Sequence, residues 1–194
     1  MTSTDTRPLT PAARRVLDVA TDLFYTRGIN TVGMDLVAER AGVTKKTIYD
    51  RFGSKRALVV QYLRVRDARW RDHLAGYLDT SASARERVAA TFDALDDWMT
   101  DENPRGCAMV NAYAELSDPE HPGRAVAEEQ KLWLRGLYTD LAALSGASDP
   151  DRLGDALAML HEGAVIARNI TGVADAARTA RAAADALLSA HGAA

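Results

Sequence analysis

The stretch that decides the fold is residues 31–58, TVGMDLVAERAGVTKKTIYDRFGSKRAL. Its apolar residues repeat at helical spacing, and Gly42 divides them into two short predicted helices. Ile48 and Phe52 are four residues apart, so they share the buried face of the second helix. Two short helices joined at a glycine turn form a helix-turn-helix arrangement. The stretch therefore predicts an all-α unit of a kind that often binds nucleic acid.

Lysines occupy the first turn of two neighbouring helices. Lys45 and Lys46 begin the second helix of the pair, and Lys55 begins the helix that follows. The start of a helix carries partial positive charge, so a lysine there costs roughly 0.3–1 kcal/mol, whereas a phosphate is favoured. Each lysine alone is compatible with a solvated surface, and some helix-turn-helix units never bind DNA. The combination favours contact with DNA phosphates.

The charge is distributed unevenly along the chain. Residues 1–65 carry 11 Lys and Arg against 6 Asp and Glu, a net charge of +5. Residues 66–194 carry 13 against 21, which gives −8 and leaves −3 overall. A basic end on an acidic remainder is typical of a protein with two roles, one of them at a polyanion.

The composition restricts the class of protein. With 47% apolar and 26% charged residues over 194 positions, the chain is expected to be globular, in one or two domains. It contains neither the roughly 18 consecutive apolar residues of a membrane helix nor the apolar segment of a secretory signal. Cys107 is the single cysteine, which excludes an intrachain disulfide. We expect a cytoplasmic protein without a membrane partner.

The remainder of the chain is also predicted to be helical. Capping signals occur at Thr44, Ser54, Ser83 and Asp149, each before an apolar run of helical period. No alternating strand pattern interrupts these runs. The sequence predicts an all-α fold of about nine helices, with a helix-turn-helix three-helix domain joined to a larger helical bundle. The predicted helices cover about 11–28, 34–41, 45–52, 54–78, 83–99, 107–116, 126–144 and two further segments from residue 150 onward.

The N-terminal region resembles the TetR (tetracycline-repressor-type) family of transcriptional regulators over about residues 11–58. The resemblance rests on four motifs: LFYTRG at 23–28, AERAGVT at 38–44, KKTIYDRF at 45–52 and GSKRAL at 53–58. It implies a DNA-binding domain over 1–58 and an effector-binding and dimerisation domain over 59–194. It further implies a homodimer that places the 45–52 helix of each subunit in the major groove of a partly palindromic operator.

The resemblance also implies which residues contact DNA. Positions that usually contact phosphate are Thr31, Thr44, Tyr49 and Lys55, and positions that contact bases or phosphate are Lys45, Lys46 and Thr47. The candidate DNA-binding residues are thus Thr31, Thr44, Lys45, Lys46, Thr47, Tyr49, Arg51 and Lys55. Arg7 is a candidate for a basic arm in the minor groove. The chain departs from the commonest pattern at Lys46, Asp50 and Arg51, so the operator sequence does not follow from the resemblance.

The same resemblance assigns the last two helices to a four-helix dimer interface. Two apolar seams suit that assignment, which we favour, and would also make sense as an intrachain core. The residues of the seams are Leu153, Leu157, Leu160, Ala164, Val173, Ala177, Ala180, Ala184 and Leu187. A pocket for an effector is expected from aromatic and polar residues on different helices, although each is compatible with ordinary packing. These candidates are Trp98, Cys107, Asn111, Tyr113, Trp133 and His161.

Three function classes remain in competition. The favoured one is a ligand-responsive regulator, most often a repressor, that a small-molecule effector releases from DNA. An effector-independent or architectural DNA-binding protein is the alternative, although the acidic C-terminal region argues against a broad basic surface. An enzyme is disfavoured because the four histidines are scattered and neither an H-E-x-x-H motif nor a glycine-rich phosphate loop is present. We therefore predict no catalytic, cofactor or metal site.

Overall fold

The computed structural model describes residues 9–78 and 83–191. Within them the chain forms nine α-helices and no β-strand, which confirms the predicted fold class. The candidate arm at Arg7 lies outside the described residues. The helices are α1 Pro11–Arg27, α2 Met34–Ala41, α3 Lys45–Phe52, α4 Lys55–Leu78, α5 Ala84–Asp101, α6 Ala108–Glu115, α7 Pro122–Leu144, α8 Pro150–Ile170 and α9 Ala176–Ala190.

The helices begin where the capping residues predict. The hydroxyl of Thr44 accepts the Thr47 N–H at the start of α3, and Ser54 accepts the Ala57 N–H at the start of α4. Ser83 and Glu86 form a reciprocal capping box at α5, which satisfies two backbone N–H groups. One boundary differs: α7 begins at Pro122, four residues before the predicted start, because proline is well tolerated in the first turn of a helix.

A first hydrophobic core lies under the helix-turn-helix. It joins α1, α2 and Ile48 of α3 to the beginning of α4, and α6 closes it from the other side through Ala108, Met109 and Ala112. The domain boundary predicted at residue 58 falls inside α4, which continues to Leu78 without a linker. The helix-turn-helix is therefore attached to the rest of the chain through a shared helix and a shared core.

A second core fills the bundle of α4, α5, α7, α8 and α9. The backbones of α7 and α8 approach closely at Gly154, where a Cβ would stand 2.7 Å from the Thr139 backbone nitrogen. Only a glycine fits at that crossing, and the contact sets the spacing of the two helices.

The predicted dimer seams lie inside this second core. Of the nine seam residues, Leu153, Leu157, Ala164, Ala177, Ala180 and Ala184 are buried, Leu160 and Leu187 are half-buried, and Val173 is exposed between α8 and α9. The six buried residues are therefore not available to a second copy, which corrects their assignment, whereas Leu160, Val173 and Leu187 stay predictions for the interface. The apolar period of α8 and α9 reflects packing within one chain, which was the alternative reading of the same pattern.

Candidate DNA-binding surface and ligand cavity

Helix α3 is anchored to the rest of the helix-turn-helix by very few buried side chains. Gly42 adopts a left-handed conformation with φ of 65°, and its N–H returns to the carbonyls at the end of α2. Ile48 is 1% exposed and is the one fully buried side chain of α3. The remaining face of this short helix is open to solvent, so its polar side chains are available to a partner.

The lysines at the start of α3 are paired with acidic residues. Lys45 Nζ lies 2.8 Å from Asp35 of α2, and this contact raises the pKa of Lys45. Lys46 Nζ lies 2.6 Å from Asp50, one turn further along α3. Both pairs are exposed, and exposed ion pairs contribute little to stability. The lysines can therefore exchange these carboxylates for DNA phosphates at small cost.

The other candidate DNA-binding residues lie on α3, at its N-cap and, for Thr31, in the segment before α2. Thr31, Thr44 and Thr47 are exposed, and the Thr44 and Thr47 hydroxyls lie 2.9 Å apart. Tyr49 is an aromatic residue with 43% of its surface exposed, and Arg51 is half-buried.

Lys55 occupies a different environment at the start of α4. Its Nζ lies 5.9 Å from the centre of the Phe24 ring, and burial lowers the pKa of Lys55. The structure brings Thr44, Lys45, Lys46, Thr47 and Tyr49 together on α3 and its cap.

Helix α6 connects this region to the bundle. At its end, Glu115 accepts the Asn30 N–H through Oε2 at 3.0 Å, and its backbone carbonyl accepts the Asn30 side-chain amide at 2.7 Å. In the loop after α6, Asp118 pairs with Arg56 of α4 at 2.6 Å. The segment after α1 and the beginning of α4 are thus tied to the two sides of the α6 C-terminus.

The start of α6 is tied to α1 through Tyr25. The Tyr25 hydroxyl accepts the Arg105 N–H at 3.0 Å and stands 3.0 Å from both Asn103 Oδ1 and the Gly106 carbonyl. The Arg66 guanidinium stacks on the other side, 4.5 Å from the Tyr25 ring and 5.1 Å from the Trp98 ring. Burial raises the pKa of Tyr25, which keeps this hydroxyl protonated.

A cavity of about 50 Å³ lies beside this junction, between α4, α5, α6, α7 and α8. Its wall combines aromatic and aliphatic side chains with a few polar groups. The lining residues are Arg66, Asp67, Trp70, Leu95, Trp98, Asn103, Cys107, Ala108, Met109, Gln130, Lys131, His161, Glu162 and Val165.

The cavity contains three of the six predicted pocket residues. Trp98, Cys107 and His161 line it, whereas Asn111, Tyr113 and Trp133 do not. The amide of Asn111 donates to the Arg105 carbonyl at 2.8 Å. Cation–π contacts occupy the two rings, with Arg124 at 3.7 Å from Tyr113 and Arg71 at 4.0 Å from Trp133. These three residues therefore lie outside this cavity, in contacts with neighbouring side chains and backbone.

A chain of hydrogen bonds lies behind His161. Thr91 donates to the Val88 carbonyl at 2.7 Å, and its oxygen lies 2.9 Å from the Tyr138 hydroxyl. The Tyr138 hydroxyl lies 3.0 Å from His161 Nδ1. We assign the Tyr138 proton to the Thr91 oxygen, because the Thr91 proton is used by Val88, and the proton between Tyr138 and His161 to Nδ1. Burial, helped by the charge of Lys131, lowers the pKa of His161 to about 3, so the imidazole is neutral. The single ring proton is then on Nδ1, and Nε2 is an acceptor.

Sequence reasoning missed Arg66, Gln130 and Lys131. Lys131 Nζ contacts Glu162 at 2.6 Å and Cys107 Sγ at 3.3 Å. Burial acts to lower the pKa of Lys131, but these two neighbours outweigh it and raise the pKa. Arg66 and Gln130 are only 6% and 5% exposed. The sequence signal that could have identified them was a charged or amide residue at a position that the helical period assigns to the core.

A strip of large apolar residues faces solvent along α8. Met159, Ile166 and Ile170 are 68%, 47% and 74% exposed, and they lie at helical spacing with Gly163 between them. On the outward face of α9 the exposed residues include Ala182, Ala186 and Ala190. We call the α8 residues the α8 strip and the α9 residues the α9 alanine face.

Among residues 9–78 and 83–191, no helix has the length and apolar character that crossing a membrane requires, and no group of His, Cys, Asp and Glu side chains could hold a metal ion.

Comparisons with known proteins agree with this geometry. The profile described as "Bacterial regulatory proteins, tetR family" matches residues 16–62, which span most of α1 through the first part of α4. The HTH-type transcriptional regulator YjdC of Escherichia coli is 25% identical over 151 residues, which cover 76% of this chain and 78% of YjdC.

Two crystal structures share the fold over nearly the whole length. SCO4454, a TetR-family transcriptional regulator from Streptomyces coelicolor, is 31% identical with a TM-score of 0.86, over 93% of this chain and 95% of that one. The tetR-type regulator sav143 from Streptomyces avermitilis is 28% identical with a TM-score of 0.83, over 95% and 100%. These relatives are transcriptional regulators and not enzymes. The chain belongs to the TetR family of transcriptional regulators.

Proposed function

We propose that this TetR-family regulator is a repressor that binds a partly palindromic operator as a homodimer and leaves it when a small molecule binds. The observation that carries the proposal is the position of α6. This helix contributes Ala108 and Met109 to the cavity wall and, one turn or two later, holds Asn30 through Glu115. A change at the cavity is therefore transmitted to the helix-turn-helix through one rigid element of eight residues.

The transmission follows from the difference between two states of the protein. A ligand changes operator affinity only by as much as it binds one state better than the other. A ligand in the cavity displaces the start of α6 from Tyr25, and the end of α6 then shifts Asn30 and the beginning of α4. In a dimer this alters the spacing of the two α3 helices, which must match successive major grooves about 34–36 Å apart.

The exposed α8 strip and α9 alanine face support the homodimer. Large apolar residues in a continuous exposed strip are typical of an interaction surface. The alanines on the neighbouring helix allow two helices of a second copy to approach closely. With two helices from each copy, the surface forms a four-helix interface of the kind that the family typically uses.

DNA binding is tested first by fluorescence anisotropy of the full chain on DNA that flanks its own gene, beside a shuffled duplex at two salt concentrations. A specific regulator binds the flanking DNA on the order of a thousandfold more tightly. Equal and steeply salt-dependent binding to both duplexes would favour the alternative of a general DNA-binding protein. Selection from a random duplex pool then separates a distant operator from a lack of specificity.

Dimerisation is tested by Ile166→Asp, which places a charge at the centre of the α8 strip. Burial of an unpaired carboxylate in each copy is unfavourable, so we expect a dimer that is at least about a hundredfold weaker. Val110→Asp is the matched control, because Val110 is also about half exposed, at 40%, but lies on α6. Sedimentation velocity over a concentration series measures both variants. An unchanged dimer for Ile166→Asp would remove the α8 strip from the interface.

A further inference from the structure

The cavity holds buried polar groups that have no partner in the described part of the chain. Gln130 is 5% exposed, and its Oε1 is fully buried without a hydrogen bond. Nε of Arg66 is likewise buried and unpartnered. Polar groups in protein interiors are nearly always hydrogen-bonded, and those that are not call for a water, an ion or a ligand. Both residues line the same cavity, so a molecule bound there would satisfy both atoms once their side chains turn toward it.

His161 adds a third open position of defined character. Its Nδ1–H is committed to Tyr138, which does not line the cavity, and the remaining edge of the ring belongs to the cavity wall. Because the chain of donors runs from His161 through Tyr138 to Thr91 and the Val88 carbonyl, Nε2 is held as an acceptor. The cavity therefore offers at least one fixed acceptor, and a bound molecule must supply an O–H or N–H to it.

The charged groups around the cavity are already neutralised. Lys131 pairs with Glu162 at 2.6 Å, and Asp67 pairs with Arg71 at 2.9 Å. Arg66 pairs with Glu102 at 3.2 Å. A ligand with its own charge would have no counterion left, and burial of an unpaired charge is strongly unfavourable. These pairs select against carboxylates and ammonium ions.

The walls favour a flat ring. Trp70 lies edge-to-face with Trp98 at 5.5 Å and with His161 at 5.6 Å, and aromatic ligands pack well against rings in such arrangements. The cavity volume of about 50 Å³ is far below the roughly 300–1,000 Å³ of drug-sized ligand sites. A closed cavity that takes up benzene has about 150 Å³, so a single ring with a small polar substituent would enter this open cavity only in part, with its polar end inside.

We infer that the effector class of this regulator is a small uncharged aromatic molecule with one or two hydroxyl or N–H donors, the first received by Nε2 of His161 and a second by Oε1 of Gln130. This inference rests on the proposed function, because it assigns a ligand to the cavity that the function requires. The donor occupies the position to which the hydrogen-bond chain from Thr91 points, and the ring packs against Trp70 and Trp98.

The test is isothermal titration of the full chain with four single-ring probes: phenol, anisole, benzoate and benzylammonium. Phenol has the donor and no charge, anisole lacks the donor, and the other two are ionised near pH 7. We expect saturable binding of phenol and roughly tenfold or weaker binding of anisole, because the acceptor is left unpaired. Benzoate and benzylammonium should not bind. Equal affinity for phenol and anisole, or tighter binding of either ion, would overturn the inference.

Two variants separate recognition from simple packing. Tyr138→Phe removes the hydroxyl that fixes the proton on Nδ1, so the preference for phenol over anisole should fall toward unity while anisole affinity is retained. Tyr77→Phe is the control, because the Tyr77 hydroxyl bonds Asp97, which does not line the cavity. Gln130→Leu fills the same space without an amide, and it should also lower the preference. A preference that persists in both cavity variants would contradict the assignment.

The operator assay distinguishes this inference from the proposed function. If the chain binds operator DNA specifically but discriminates no donor-bearing ring, the ligand class is wrong and the regulator remains. If phenol is preferred but specific DNA binding is absent, the cavity chemistry is supported and the proposed function fails. Release of the operator by phenol but not by anisole supports both.

Discussion

Helix α3 of the helix-turn-helix and the cavity between α4 and α8 are built in opposite ways. Helix α3 has eight residues, one fully buried side chain and ion pairs that face solvent. The cavity is formed by five helices, and its polar residues are buried in pairs and chains. The first site depends on a local segment and the second on long-range packing. Changes in α3 should therefore alter binding with little effect on folding, whereas changes behind the cavity should alter folding and binding together.

The largest effect is expected from Gly154→Ala at the crossing of α7 and α8. The added Cβ would stand 2.5 Å from Thr139 Oγ1 and 2.7 Å from the Thr139 Cα. Because a backbone must move to accommodate it, we expect the free energy of unfolding to fall by about 3 kcal/mol. Urea denaturation followed by circular dichroism measures the change.

Gly136→Ala is the matched control for this prediction. Gly136 lies within α7, and a Cβ there meets nothing within 4 Å. Alanine is the better helix former, so this control should gain about 0.5–1 kcal/mol. Equal stability changes in the two variants would contradict a close-packed crossing and weaken the contrast between the cavity and helix α3.

The second prediction concerns Tyr25, which joins the two regions. Tyr25→Phe keeps the ring but leaves Asn103 Oδ1, the Gly106 carbonyl and the Arg105 N–H without their shared partner. Unpaired buried groups cost about 1–3 kcal/mol, so unfolding should become easier by about 2 kcal/mol. Tyr113→Phe, on an exposed residue of α6, is the control. A neutral Tyr25→Phe variant would indicate that the hydrogen bonds of this hydroxyl do not contribute to holding α1 against the bundle.

The third prediction uses the neutral state of His161. The folded pKa of about 3 lies below the ordinary value of about 6.5, so below pH 6.5 the unfolded chain binds a proton that the folded chain excludes. The contribution to stability is complete above pH 6.5 and is lost progressively as the pH falls toward 3. Between pH 6 and 5 the slope from this group approaches about 1.4 kcal/mol per pH unit.

His161→Gln removes this titration and keeps a polar side chain. Urea denaturation at several values between pH 7 and 5 compares the slope of the variant with that of the original chain. The comparison of slopes cancels the contribution of His121, whose pKa burial also lowers. If both proteins lose stability at the same rate, His161 is charged or accessible in the folded state, and the fixed acceptor at Nε2 is refuted.

The sequence predicted the helix-turn-helix well because it is a local structure. The bounds of α2 and α3, the Gly42 turn and the Thr44 cap all depend on residues within a few positions of one another. The same holds for the fold class, since helical period and capping residues mark almost every helix. Pairs such as Lys45 with Asp35 join neighbouring helices, and no pattern in the sequence specifies them.

The cavity and the dimer surface could not be predicted in the same way. The period of α8 identifies an apolar face around Leu153 and Leu157, but it does not distinguish a face buried within the chain from one covered by a second copy. Met159 and Ile166 fall outside that seam, and only their exposure in the folded chain shows an apolar surface there. Similarly, Gln130 is 31 residues from His161, and their common cavity arises only when α7 packs on α8.

The smallest effect is expected from Lys55→Ala, which tests whether the basic region beyond α3 contacts phosphate. Lys55 is half-buried near Phe24, and its loss should leave the fold intact. If it neutralises one phosphate, the slope of log affinity against log salt should become shallower by about one unit, equally for all DNA sequences. Arg152→Ala, an exposed cation at the start of α8, should leave the slope unchanged. Because this slope counts displaced counterions and not contact energy, it detects a phosphate contact even where the affinity barely changes. An identical slope for Lys55→Ala and the original chain would confine the DNA-binding surface to α3 and its cap.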